Sequence, residues 1–166
     1  MFEKTGVATR EMVMTKFPPL ERINRGPVAV VECYQKIPCN PCQTACAFGA
    51  IQIGADINEI PRRDEALCTG CGLCVAKCPG LSIMIVDGSR SADTVEFRIP
   101  YEFLPLPAPG EEVIGLDRAG QPICRAKVLR VMNPPSFDRT PVVALEVDRG
   151  YLYDFRNFRR EAEAHG

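Results

Sequence analysis

Apolar positions in this chain fall into short runs rather than long helical stripes. Gly26-Pro27 breaks the chain before "VAVV", an unbroken apolar run that predicts a buried strand leading into a cysteine-rich stretch. Two similar runs, "GAIQI" (49–53) and "GLSIMIV" (80–86), each follow a cluster of cysteines. Further along, "EVIGL" (112–116), "PICRAKVLRV" (122–131) and "TPVVALEV" (140–147) also read as strands. "LDRAGQ" between the first two predicts a hairpin turn, with Gly120 supplying a positive φ. A period of two places Cys124, Ala126 and Val128 on one face, so Cys124 reads as a core residue. Pro100, Pro105, Pro107 and Pro109 in "IPYEFLPLPAPGEE" predict an extended connector. The end, "YLYDFRNFRREAEAHG", predicts a strand followed by a helical or frayed tail.

Three zones follow from this pattern: an N-terminal segment (1–30), a cysteine module (31–88) and a β-rich interaction domain with a C-terminal tail (89–166). The module is an internal repeat, because Cys39, Cys42 and Cys46 recur 32 positions later as Cys71, Cys74 and Cys78. Each half reads as a cysteine loop, a short helical turn and a strand. A unit that small cannot bury a core alone, so the halves are expected to pack together around what they bind. The expected fold class is α+β, the cysteine module being joined to a small β-rich, barrel-like domain. The pattern leaves open whether residues 1–30 join that domain.

Composition narrows the chemistry. A formal charge of −1 and a pI near 5.9 give nucleic-acid binding no electrostatic support. No run approaches the roughly 18 apolar residues of a membrane span. The first residues lack an apolar core followed by a small-residue cleavage site, which predicts a cytoplasmic protein. Nine cysteines stand beside a single histidine, His165, which reads as an idle chain end. Their gaps of two and three residues suit a shared metal centre better than disulfides. An all-thiolate set selects zinc, copper(I) or iron–sulfur clusters. Arg62-Arg63 beside Asp64-Glu65 reads as a charged hairpin surface, and Gly110, Gly115 and Gly120 make no nucleotide-binding loop.

The run Cys68-x2-Cys71-x2-Cys74-x3-Cys78-Pro79, in "DEALCTGCGLCVAKCPGLSI", and the weaker "CNPCQTACAFGAI" resemble the bacterial ferredoxins with two 4Fe-4S clusters, over residues 31–88. In that family three cysteines of a run hold one cluster and the fourth crosses to the other. The resemblance therefore implies one cluster on Cys68, Cys71, Cys74 and the crossed Cys46. It implies a second on Cys39, Cys42 and the crossed Cys78, with one ligand still to be found. The family position three residues before Cys39 holds Lys36, but Cys33 lies three residues earlier still. The intervening "YQKIP" loop closes at little extra entropic cost, so Cys33 is the expected fourth ligand. A three-iron cluster on Cys39, Cys42 and Cys78 is the alternative. Gly70 and Gly72 fit the need for close backbone approach to the cluster, while Ala47 departs from the proline that usually follows the fourth cysteine.

Such a module moves single electrons, and the chain shows no flavin or nicotinamide motif and no catalytic constellation. A looser likeness extends over most of the chain. "VVECYQKIPCNPCQTACAFGAI", the second run and the β-rich end are similar to the small iron–sulfur subunits of flavin-dependent dehydrogenases of amino acids and secondary amines, such as proline, hydroxyproline or sarcosine. This likeness implies flavoprotein dehydrogenase subunits carrying FAD or FMN in a hetero-oligomer, and a downstream electron acceptor. A free-standing ferredoxin carrier and a structural zinc protein are the competing readings.

Overall fold

The structure is a computed structural model and describes residues 2–161; His165 and the rest of the tail lie outside them. Three short helices come first: α1 (Phe2–Thr5), α2 (Arg10–Lys16) and α3 (Leu20–Arg25). Thr9 caps α2 by accepting a hydrogen bond from the Met12 amide, and Pro18-Pro19 separates α2 from α3. The cysteine module runs β1 (Val28–Val31), α4 (Pro41–Ala45), β2 (Ile51–Gln52), β3 (Arg62–Arg63), α5 (Leu73–Lys77) and β4 (Ile83–Asp87). Five strands follow: β5 (Thr94–Pro100), β6 (Glu112–Leu116), β7 (Pro122–Met132), β8 (Val142–Asp148) and β9 (Asn157–Arg160).

Seven strands form one antiparallel sheet in the order β1-β4-β5-β8-β7-β6-β9, while β2 and β3 make a separate two-stranded ribbon. Since β4 pairs with β5, the cysteine module and the β-rich region share a single sheet.

The expected barrel is not formed: the sheet is open, with β1 and β9 at opposite edges. The physical reason is visible at β1. On its outer side the Ala29 amide donates to the Cys68 sulfur at 3.3 Å, and the Ala29 carbonyl accepts from Arg63 Nη1 at 3.0 Å. With the Ala29 amide and carbonyl engaged, the outer edge of β1 is blunted against pairing with a further strand.

The paired strands β1 and β4 are buried on both faces, which explains why "VAVV" and "IMIV" read as unbroken apolar runs. Val28, Val30, Met84 and Val86 join the core containing Val13, Phe17 and Ile23 of the N-terminal helices, together with Phe97 and Phe155. Ala29, Val31, Ile83 and Ile85 face the other way, into a core with Val75, Phe137, Cys42, Cys74 and Cys78. The N-terminal helical segment, through Val13, Phe17 and Ile23, therefore covers the back of the cysteine module.

The connector begins later than the prolines suggest, because Thr94–Pro100 is a strand. Its buried Val95, Phe97 and Ile99 carry a period-two signal that the proline-rich sequence after them obscures. The β6–β7 hairpin turns at 117–121 with Gly120 at φ +78°, as the sequence predicts. A register shift between Val128 and Arg130 interrupts the alternation of β7.

Candidate metal centre

Each repeat places its cysteines by the same local device. A short helix, α4 or α5, carries the middle cysteine, Cys42 or Cys74, and the chain leaves it at Cys46 or Cys78. The Gly49 amide then bonds the Cys46 carbonyl, and the Leu81 amide bonds the Cys78 carbonyl. Four residues after each exit cysteine, a backbone N–H points back at its sulfur: Ala50 to Cys46 at 3.3 Å and Ser82 to Cys78 at 3.4 Å. Gly49 has φ +67° and its counterpart Leu81 has φ +52°, so the repeat holds even where the residue does not. The sequence match between "GAIQI" and "GLSIMIV" aligned glycine with glycine, one position away from this structural equivalence.

The repeats exchange their fourth cysteines. Cys33, Cys39, Cys42 and Cys78 line one cavity of about 60 Å³, with Ile37, Glu59, Pro61 and Ile83 also on its walls. Cys46, Cys68, Cys71 and Cys74 line a second, of about 20 Å³, closed by Ala29, Phe48, Ile51 and Ile85. None of the eight cysteines forms a disulfide, and Cys71 alone among them is exposed. The ninth, Cys124, is half-buried on β7 against Gly115 and packs on the core as its alternation predicts.

The donor set fits a cluster. Among the described residues, no three cysteine, histidine or acidic side chains converge closely enough to hold a single metal ion. A zinc ion needs sulfurs at about 2.3 Å from one point, whereas a cluster takes thiolates at separate irons around its corners. Burial pushes the Cys42 thiol up to about 11, helped by Cys33 and Cys78, and burial raises Cys74 further still, with Cys68 and Cys71 adding to it. Burial raises Cys33 as well, and Cys78 contributes. Bare thiolates crowded together out of water repel one another, so bound cationic metal is what makes the ionised set favourable. Amide donors to Cys46, Cys68 and Cys78 supply the hydrogen bonds to sulfur by which a protein adjusts such a centre.

The loop of the second set depends on both predicted glycines, for different reasons. Gly70 has φ +69° and lies so close to Pro27 that a Cβ would sit 2.5 Å from the proline Cβ. Gly72 has φ +81° and caps α5, where an added Cβ would meet Phe137 Cζ at 3.6 Å, an ordinary contact. Arg98 Nη1 donates to the Gly70 carbonyl, and Arg22 Nη2 donates to the Cys68 carbonyl at 2.8 Å.

Several neighbouring residues were not found from sequence. Arg22 lies outside the module, and Arg63 is not the exposed hairpin residue that its charged neighbours suggest. Its side chain is 11% exposed and bonds the Lys16 and Ala29 carbonyls. The available signal was β3 itself: in a two-residue strand the side chains of Arg62 and Arg63 point to opposite faces, so one of them faces inward.

Residues 61–83 match the family model of the 4Fe-4S binding domain. The chain thus carries a ferredoxin-type iron–sulfur domain, of the class that serves electron transfer. It is similar, more particularly, to the ferredoxin-type protein NapF of Escherichia coli strain K12 and of the O6:H1 and O157:H7 strains. Each is 40% identical over 48 residues, which is 28% of this chain and 29% of the relative. The likeness therefore spans less than a third of those proteins. No solved structure matches the chain. No helix among the described residues is long and apolar enough to cross a membrane.

Proposed function

We propose that this chain is an electron-transfer subunit holding two 4Fe-4S clusters, one on Cys33, Cys39, Cys42 and Cys78 and one on Cys68, Cys71, Cys74 and Cys46. The observation that carries this reading is the sorting of eight cysteines into two cavities with Cys46 and Cys78 exchanged. Clusters bound there would accept and pass on single electrons. The chain's own residues shape the path. Cys42 and Cys74 are buried on neighbouring short helices between the two cavities, and Cys71 meets solvent at the second. Partly exposed apolar side chains stand at each cavity, Ile37 on the wall of the first and Phe48 on the wall of the second.

The further reading is a fixed cytoplasmic subunit of a flavin-dependent dehydrogenase, drawing electrons from FAD or FMN on a partner that oxidises an amino acid or secondary amine. Its support is the likeness of the cysteine pattern to such subunits and the size of the non-redox sheet built onto the module. Anaerobically purified protein is expected to hold about eight iron and eight sulfide per chain. A count near four would defeat the two-cluster assignment. Purification from the native source tests the complex: a flavoprotein should accompany the chain, and a lone soluble monomer would make it a free carrier.

A further inference from the structure

We propose that Arg22 and Arg63 set the reduction potential of the centre on Cys46, Cys68, Cys71 and Cys74, holding it higher than its ligands alone would. The proposal rests on the reading that a cluster occupies this site. It concerns two residues that no cysteine motif includes.

Arg22 projects from α3 into the base of the Cys68 loop. Its Nε donates to the Glu65 carbonyl at 2.8 Å and its Nη1 to the Gly26 carbonyl at 3.0 Å. Its Nη2 donates to the Pro27 carbonyl at 3.1 Å and to the Cys68 carbonyl at 2.8 Å. Every nitrogen is thus taken by a neutral carbonyl, and Arg22 forms no ion pair among the described residues. Arg63 comes from β3. Its Nη1 holds the carbonyl of Ala29, the residue whose amide donates to the Cys68 sulfur. Glu65 stands 3.6 Å from its Nη2 and is itself partly exposed, while its buried Nε has no protein partner.

Burying a guanidinium without a matched carboxylate is costly unless another negative charge compensates it. The thiolates of this site are that charge, since Arg22 binds the backbone of Cys68 and Arg63 the backbone that binds its sulfur. The first centre has cations beside it as well: Arg156 lies near Cys78 and shares Glu32 with Arg118. A reduced centre carries one more negative charge than the oxidised one, so a fixed cation nearby favours reduction.

The test is a potentiometric titration of the holoprotein followed by paramagnetic resonance, with iron counted in each sample. Arg63→Gln and Arg22→Gln should each lower the potential of one cluster only. The expected loss is about tenfold in the reduction equilibrium, which is about 59 mV for one electron. Arg63→Lys, which keeps the charge and loses the planar hydrogen bonds, should recover most of that shift. Unchanged potentials in both glutamine variants at full iron content would overturn the proposal. So would equal shifts in Arg63→Gln and Arg63→Lys, which would assign the effect to geometry instead of charge. Two wild-type clusters with full iron separate this outcome from failure of the two-cluster reading, which the wild-type iron count decides by itself.

Discussion

Glu32 and Arg118 lock the cysteine module to the far hairpin of the sheet. Glu32 directly follows β1 and precedes Cys33, and Arg118 sits in the β6–β7 turn. Arg118 Nε donates to Glu32 Oε2 at 2.8 Å and its Nη2 to Oε1, a two-pronged ion pair with both side chains at least 90% covered. The third nitrogen, Nη1, holds the Tyr153 carbonyl at 2.8 Å. Arg156 adds a second cation 4.0 Å from Glu32 and donates to the Leu81 carbonyl.

Removing the carboxylate strands two covered guanidinium groups. Glu32→Ala is therefore expected to cost about 3 kcal/mol of folding stability, in the range for breaking one side of a buried pair. Denaturant unfolding of the holoprotein measures it. A loss below about 1 kcal/mol would show the pair to behave as an exposed one.

Gly70 and Gly72 should respond differently to alanine. At Gly70 the new methyl meets the Pro27 Cβ and carbonyl, so the loop must move and Cys71 with it. Gly70→Ala is expected to empty one site, halving the iron content. At Gly72 only the positive φ opposes the change, because the nearest atom is Phe137 Cζ at 3.6 Å. Gly72→Ala should keep full iron and lose about 1 kcal/mol. Equal iron in the two variants would contradict the contrast.

Cys33 tests the less regular site. Cys33→Ser should disturb the cluster held with Cys39, Cys42 and Cys78 and leave the other spectroscopically intact. Iron is expected to fall from about eight per chain to about seven, with a three-iron signal in the oxidised protein. Full iron and unchanged spectra would mean that Cys33 is a strand-end residue and no ligand.

Stripping the iron should loosen the module selectively. Cys42, Cys74 and Cys78 form part of the core beneath β1 and β4, and their crowded thiols lose their compensating charge when metal leaves. Limited proteolysis of chelated protein is expected to cut between about residues 33 and 68, where short elements depend on the sites. The sheet from β5 onward, backed by Phe97, Leu145 and Phe155, should resist.

Local chemistry was the most legible part of this chain. The spacing of Cys68, Cys71 and Cys74 predicts a shared centre because three thiolates at those intervals wrap one object, while Cys78 starts a turn that leads away to the other. The hairpin at Gly120 follows from the same short-range logic. The grouping of Cys33 with Cys39, Cys42 and Cys78 was reachable because loop length costs little. Long-range pairing was not legible: nothing in "IMIVD" says that β4 takes β5 as its neighbour and fuses the module into a larger sheet. Arg22 and Arg63 were equally hidden, since a cation that binds backbone carbonyls leaves no partner residue type in the sequence. The helices of residues 1–30 are short, and what they cover is known only once both faces of β1 are seen to be apolar.

The outer edge of β1 has a meaning beyond architecture. A strand at the rim of a sheet is an adhesive surface for other chains unless something blunts it. Here the blunting is done by the Cys68 sulfur and by Arg63, which the Lys16 carbonyl and Glu65 hold in position. The cysteine that serves the second site thus also keeps one strand of this chain from pairing with another, and replacing Cys68 is expected to raise self-association as well as to empty that site.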